Sequence, residues 1–334
     1  TSSLSEKEAD RLFETLDRLR DKGVSIVYVS HRLHEVKRIA DRVAVVRDGT
    51  LAEVLHRPFE VKQIVTAMVG EIPHHDVTER QASVASRQVR LELRDLVVDP
   101  GKPPLNLKLY EGEVVGLTGL IGAGKSELAE VLFGSRVPVS GEILLDGNPY
   151  RPAGVYDAIR AGIFLVPEDR ANNAIIGDFT VRQNITAPFL RDFDTFGIMR
   201  VPDERSASRR MIEAMGIKTE SEEATIDSLS GGNQQKVVVA RWLLKNFNLV
   251  LLDEPFQGVD IRSRHDIGQY LRENIGDRTA VVIATDLDEV IEVADRILVM
   301  NNGAIVGEQF YENLDRDRML HLISEDNPVA VETA

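Results

Sequence analysis

The sequence predicts an α/β fold with a mainly parallel sheet, opened by an antiparallel β part and interrupted by a helical subdomain. Three observations carry this. Short apolar runs of strand length, such as Val114 to Leu117 and Phe247 to Leu252, alternate with helical patterns between Val89 and about Ser324. One of these runs leads through a Gly-rich loop directly into a helix, Glu127 to Phe133. The same order of strand, loop, helix and strand also occurs twice, at a constant spacing.

The repeat is read residue by residue. Ile26-Val27-Tyr28-Val29-Ser30-His31-Arg32-Leu33-His34-Glu35-Val36 aligns with Ala280-Val281-Val282-Ile283-Ala284-Thr285-Asp286-Leu287-Asp288-Glu289-Val290, and Ala40-Asp41-Arg42 with Ala294-Asp295-Arg296. Thr285 follows His31 by 254 residues, as Asp295 follows Asp41 and Gly303 follows Gly49. A shared register over this length argues for duplication. Extended backwards, the alignment sets Thr1 to Ser5 opposite Phe256 to Asp260, so the chain opens, without Met, just past the matching acidic strand end of a first copy.

The expected elements follow in order. Residues 1–70 supply a helix from Ser5, a strand at Val24 to Val29, a helix from Leu33, and strands at Arg42 to Arg47 and Leu51 to Leu55. They read as the back end of a first domain. Residues 71–88 lack apolar periodicity and read as a linker. Residues 89–325 form the second domain, with its helical part at about 169–245, and residues 326–334 are a polar tail.

Composition narrows the function. The 334 residues are 43% hydrophobic, enough for one large or two ordinary domains. Acidic residues outnumber basic ones 54 to 40, a formal charge of −14 with no long basic block, which argues against nucleic acid as a main partner. There is no cysteine, which excludes disulfides, thiol nucleophiles and cysteine metal sites. No apolar run approaches the roughly 18 to 20 residues that cross a bilayer, and no basic-then-apolar leader opens the chain, so cytosolic residence is expected.

Three motifs carry the chemistry. Gly119-Leu120-Ile121-Gly122-Ala123-Gly124-Lys125-Ser126 matches G-x-x-x-x-G-K-S between a strand and a helix, the context a phosphate-binding loop needs. Its backbone N–H groups would cradle a β-phosphate, Lys125 would bridge the β- and γ-phosphates, and Ser126 would ligate Mg²⁺. The strand Phe247 to Leu252 ends in Asp253-Glu254: Asp253 would hold Mg²⁺ through water and Glu254 would be the general base for the attacking water. Leu229-Ser230-Gly231-Gly232-Asn233-Gln234-Gln235-Lys236 heads a helix through Val237 to Leu244 and suits a second phosphate contact.

With these motifs together the chain resembles the ATP-binding-cassette (ABC) ATPases of the P-loop NTPase fold, whose Leu-Ser-Gly-Gly-Gln signature it matches except at Asn233. The tandem arrangement, Gly-Leu-Ile-Gly-Ala-Gly-Lys-Ser-Glu-Leu, Val166-Pro167-Glu168-Asp169-Arg170 and Phe256-Gln257-Gly258-Val259-Asp260 are similar to the ATPase subunits of bacterial monosaccharide importers of the ribose, galactose and xylose group. The resemblance implies ATP and Mg²⁺ as cofactors and integral-membrane permease subunits as partners, with an extracytoplasmic sugar-binding protein reached through them. It implies a peripheral location on the cytoplasmic side of the inner membrane.

It also implies nucleotide contacts from Glu168, Ser230, Gly231, Gly232, Asn233, Gln234, Asp260 and Thr285. Glu168 stands where a generic cassette has Gln, and Thr285 where it has the γ-phosphate His. The first copy keeps His31 there, which implies unequal sites with His31 and Glu254 as catalytic residues. Cassettes close head to tail, so the phosphate loop at 119–126 would be capped by a signature of the other copy, or by a second chain. The chain alone is expected to bind Mg-ATP with weak turnover.

Some readings stay open. Arg170 suits a phosphate contact, support of a coupling loop, or a surface ion pair. Ala174, Ile175, Ile176 and Phe179 suit either permease docking or the core of the helical part. No aromatic for base stacking occurs between Leu91 and Leu109. Importers of nucleosides share this build, and the cargo is unreadable from a subunit that does not touch it. Chromosomal and DNA-repair cassettes are disfavoured, because Ser230 follows Gly124 by 106 residues without sustained heptads. Ribosome-associated tandem cassettes are disfavoured by the short, non-basic linker.

Overall fold

In the computed structural model, the described residues are 6–29, 33–47, 50–60, 63–64, 67 and 87–325. The chain divides into two compact units, residues 1–78 with 258–265, and residues 79–257 with 266–334.

The first unit contains α1 (Glu6–Asp21), α2 (Leu33–Ile39) and the antiparallel hairpin β1 (Arg42–Arg47) and β2 (Thr50–His56). Helix α1 stops at Gly23, whose φ of 82° lets its N–H reach back to the Arg20 carbonyl at 2.8 Å. A small core gathers Val36, Val45, Phe59, Ile64 and Ala67. The strand expected at Val24 to Val29 does not form: the segment is irregular, and Val27 and Val29 are 93% and 90% exposed. The physical reason is pairing. Its counterpart in the second unit is held between two parallel strands, and the described residues of the first unit offer no such neighbours.

The second unit opens with β3 (Val89–Val97), β4 (Leu105–Tyr110), β5 (Val114–Thr118), α3 (Lys125–Leu132), β6 (Ser140–Leu145), β7 (Asn148–Pro149), α4 (Val155–Arg160) and β8 (Ile163–Val166). The helical part follows as α5 (Arg170–Asn173), α6 (Val181–Thr186), the short ribbon β9 (Asp194–Thr195) and β10 (Ile198–Met199), α7 (Val201–Ala214) and α8 (Gly231–Leu243). The chain then runs through β11 (Leu249–Asp253), α9 (Ile261–Asn274), β12 (Thr279–Ile283), α10 (Leu287–Val293), β13 (Arg296–Asn301), β14 (Ala304–Phe310) and α11 (Arg316–Ser324).

Two sheets result. The antiparallel one has the order β4-β3-β6-β7. The main one has the order β14-β13-β5-β12-β11-β8, parallel throughout except for the edge strand β14. Strands β5, β11 and β12 are buried at every residue, which is why they read as unbroken apolar runs rather than alternating ones. The helical part is fixed to this sheet by aromatic packing: Phe164 of β8 stacks on Trp242 of α8 at 5.1 Å and meets Phe189 edge-on at 5.6 Å. Helix α6 starts on a capping box, Thr180 accepting from the Gln183 amide while the Gln183 side chain accepts from that of Thr180.

The repeat is visible in the ladders. Hairpin β1–β2 shifts register opposite Val45 and Val46, where Ala52 is extra, and β13–β14 does so opposite Val299 and Met300, where Val306 is extra, at the spacing seen in the sequence. Helix α2 and α10 likewise share their bounds at that spacing.

The β9–β10 ribbon turns through Phe196 and Gly197 at φ 53° and 82°, and Phe196 is fully exposed. An aromatic in left-handed backbone costs about 1 kcal/mol relative to residues that tolerate it. Phe196→Asn is therefore expected to raise stability by roughly that amount. A higher urea midpoint with unchanged slope would show it.

Candidate nucleotide-binding site

Because β5, β8, β11 and β12 are parallel, their carboxyl ends lie along one edge of the sheet, and the loops leaving them bring the chemical groups together. Strand β5 delivers the loop 119–126, β8 delivers Glu168, β11 delivers Asp253 and Glu254, and β12 delivers Thr285.

The loop is tightly built. A Cβ on Gly119 would stand 2.0 Å from the Met300 carbonyl oxygen, and Gly124 caps α3 in the left-handed region at φ 103°. The helix begins at Lys125, two residues earlier than its apolar pattern suggests. The turn between β13 and β14 clamps the loop from outside, with the Gly303 N–H donating to the Ala123 carbonyl at 2.8 Å. Leu120 and Ile121 lie on the exposed rim, whereas Ala123 is buried.

Lys125 is 6% exposed and folds back over its own loop, its Nζ donating to the carbonyls of Gly119 (2.7 Å) and Leu120 (3.0 Å). Burial pulls its pKa down, opposed by the charges of Glu254, Asp253 and Glu168. Asp253 is 5% exposed; it accepts a hydrogen bond from the Ser126 side chain, and its Oδ1 has no hydrogen-bond partner. Burial, reinforced by the charges of Glu168 and Glu254, pushes its carboxyl up to about 6.

Glu254 sits in left-handed backbone at φ 45°, with its N–H donating to the Ile283 carbonyl at 2.9 Å. Its Oε1 accepts from the Thr285 amide at 2.8 Å and the Thr285 hydroxyl at 2.5 Å. Burial pushes its pKa up, while the Thr285 hydrogen bonds and Lys125 hold it back. Glu168 is exposed, yet its charge is felt at Lys125, Asp253 and Glu254.

Ser230, Gly231, Gly232, Asn233 and Gln234 head α8, apart in the chain from these loops. Asn233 bridges, donating to Ser230 Oγ at 2.9 Å and accepting from the Lys218 amide at 2.8 Å. The Gln234 side chain donates to the Ile226 carbonyl at 3.2 Å. Asp260, grouped with the first unit, accepts from the amide and hydroxyl of Ser263 at the start of α9. His31 lies outside the described residues, as do most of residues 71–88 and all of 326–334.

The structure also places the side chains with open readings. Arg170 donates to the Gln257 carbonyl at 2.8 Å and lies 3.4 Å from Gln235 Oε1, so it ties the segment after β8 to the one after β11. Ala174 is buried and Ile175 packs against the core, whereas Ile176 and Phe179 are 41% and 36% exposed. Two contacts were missed in the sequence: Thr285 on Glu254, and the Gly303 clamp. The match of Gly303 with Gly49 was the available signal for the second.

A buried lysine in a glycine loop beside a buried and a half-buried carboxylate at the edge of a parallel sheet defines a P-loop NTPase domain. Residues 103–257 match the family model described as ABC transporter, and this segment belongs to that family. The chain is 37% identical over 322 residues to the ribose import ATP-binding protein RbsA 2 of Rubrobacter xylanophilus, covering 96% of this chain and 62% of that protein. It is 39% identical over 326 residues to the arabinose import ATP-binding protein AraG of Pectobacterium atrosepticum, covering 96% of this chain and 64% of that one. The chain thus spans a little under two thirds of these relatives. Among solved structures, cbiO1 from Clostridium perfringens, part of the cbiONQ ABC transporter complex, shares the fold with a TM-score of 0.58 at 23% identity, over 70% of this chain and 93% of that one. The fold is that of ABC ATPase cassettes. No helix among the described residues is long and apolar enough to cross a membrane.

Proposed function

We propose that the chain binds and hydrolyses ATP to energise import of a monosaccharide, acting at the cytoplasmic face of the inner membrane with permease subunits and, through them, an extracytoplasmic sugar-binding protein. Residues 1–70 would be the end of a first cassette, 71–88 a linker and 89–325 a second cassette. The observation that carries this reading is the grouping of Lys125, Ser126, Asp253 and Glu254 at one sheet edge. The names of the relatives, ribose and arabinose import ATP-binding proteins, support the cargo class. The exposed Ile176 and Phe179 supply an apolar surface suited to a permease helix.

The residues fit Mg²⁺: the unpartnered Oδ1 of Asp253 and the Ser126 hydroxyl on the same carboxylate are hard oxygen donors. Mg²⁺ bound there would offset the charge of the β- and γ-phosphates. The loop amides and α3 hold the phosphates, and Lys125 leaves its two carbonyls to meet them. Glu254 takes a proton from the water that adds to the γ-phosphorus.

The test is a calorimetric titration with Mg-ATP. Lys125→Ala is expected to weaken binding at least about tenfold, since the ammonium is the loop's charged phosphate contact. Equal affinities in the two proteins would refute the reading.

A further inference from the structure

We propose that Thr285 is a positioning residue for Glu254, holding one carboxylate oxygen so that the other faces the attacking water, and that it is not itself a phosphate contact. The inference rests on reading Glu254 as the general base. Both hydrogen bonds from Thr285 converge on Oε1, the hydroxyl at 2.5 Å and the amide at 2.8 Å. A threonine hydroxyl has a single proton, so a hydroxyl committed to Oε1 has none to give a phosphate. The amide is committed to the same atom. Among the described residues Oε2 receives no hydrogen bond, which leaves it to accept the proton.

The backbone around the pair is equally fixed. Glu254 is bound through its N–H to Ile283, and the Ala284 N–H donates to the Leu117 carbonyl of β5 at 3.1 Å. Thr285 therefore stands on the sheet, one residue beyond a ladder bond. Glu254 occupies left-handed backbone, which a non-glycine residue keeps only where its surroundings hold it there. Two bonds to one oxygen select a single carboxylate orientation, and a base must be oriented as well as near. In the step it serves, a water oxygen bonds to the γ-phosphorus and the bond from that phosphorus to the bridging oxygen breaks. ADP leaves with the electron pair, and the water proton passes to Oε2.

The experiment compares Thr285→Val and Thr285→Ser in the full-length protein, by single-turnover hydrolysis and by calorimetry with ATP and with ADP. Thr285→Val is expected to slow hydrolysis about 100-fold, the scale of a misplaced catalytic group, with both affinities within about twofold of wild type. Thr285→Ser, which restores the hydroxyl, is expected to recover most of the rate. In a Glu254→Gln background, Thr285→Val should add no further loss. Selective weakening of ATP over ADP by Thr285→Val would make Thr285 a γ-phosphate contact and overturn the proposal. An unchanged rate in Thr285→Val, failure of Thr285→Ser to recover, or a full additional loss in the Glu254→Gln background would overturn it too. If Glu254→Gln alone leaves the rate unchanged, the reading of Glu254 fails first, and is recognised separately.

Discussion

Arg296→Ala is expected to destabilise the second unit by about 3–5 kcal/mol, the scale for breaking a buried ion pair on one side only. Arg296 is fully buried at the start of β13. Its guanidinium donates to Glu113 Oε1 at 2.7 Å, Glu308 Oε1 at 2.8 Å and the Lys108 carbonyl at 2.7 Å, and lies over the Tyr110 ring at 5.2 Å. Glu113 is fully buried as well, and its Oε1 also accepts from the Tyr110 amide at 2.6 Å. Burial pushes the Glu113 carboxyl up, and Arg296 with the Tyr110 amide pulls it back. Removing the arginine leaves that carboxylate uncompensated. The measurement is the urea midpoint of Arg296→Ala beside the double variant Arg296→Met with Glu113→Gln, which removes both charges and should recover much of the loss. An unshifted midpoint in the single variant would refute the account.

The first copy supplies a control. Its Asp41 and Arg42 match Asp295 and Arg296 in the repeat, yet both are exposed. In the second unit Asp295 accepts from the Val114 N–H at 2.9 Å, and Arg296 holds the glutamate that precedes β5. The triplet Ala-Asp-Arg is thus a device for seating a phosphate-loop strand. Arg42→Ala should accordingly change stability by no more than about 0.5 kcal/mol.

The mainly parallel sheet of the second unit is legible in its apolar runs, and the phosphate loop in its glycines, because both signals are local; the strand order comes from the structure. What failed was non-local. Val24 to Val29 has strand composition, but a strand exists only against neighbours, and composition does not record whether they are there. Thr285 read as a departure from a pattern, since its partner Glu254 is 31 residues away and on another strand; only the parallel pairing of β11 with β12 brings them together. Arg170 admits several readings on sequence, and its acceptor is a backbone carbonyl 87 residues on. The extra residues Ala52 of β2 and Val306 of β14 show the reverse case, where the repeat register extends to backbone irregularity.

Asp253→Asn is expected to stabilise the nucleotide-free protein by as much as about 3 kcal/mol at neutral pH, and to abolish its response to Mg-ATP. The Asp253 carboxyl is held at about 6, against 3.8 for the free group, because burial disfavours its charge. Below the free value both folded and unfolded states are protonated and nothing is lost. As pH rises from about 4 to about 6 the unfolded chain ionises first, so stability falls across that window and stays low above it. The neutral amide removes this dependence while keeping an oxygen for the Ser126 hydroxyl. The unpartnered Oδ1 suits the proposed cation, since a divalent ion would add to the partial compensation that Ser126 and Lys125 provide. Thermal unfolding with a chelator should therefore place the variant above wild type at pH 7.5, and by a margin that shrinks at pH 4. Adding Mg-ATP should raise wild type and leave the variant in place. A variant that melts below wild type with the chelator present would mean that the buried charge is already compensated within the fold, and would remove the basis for assigning the cation to Asp253.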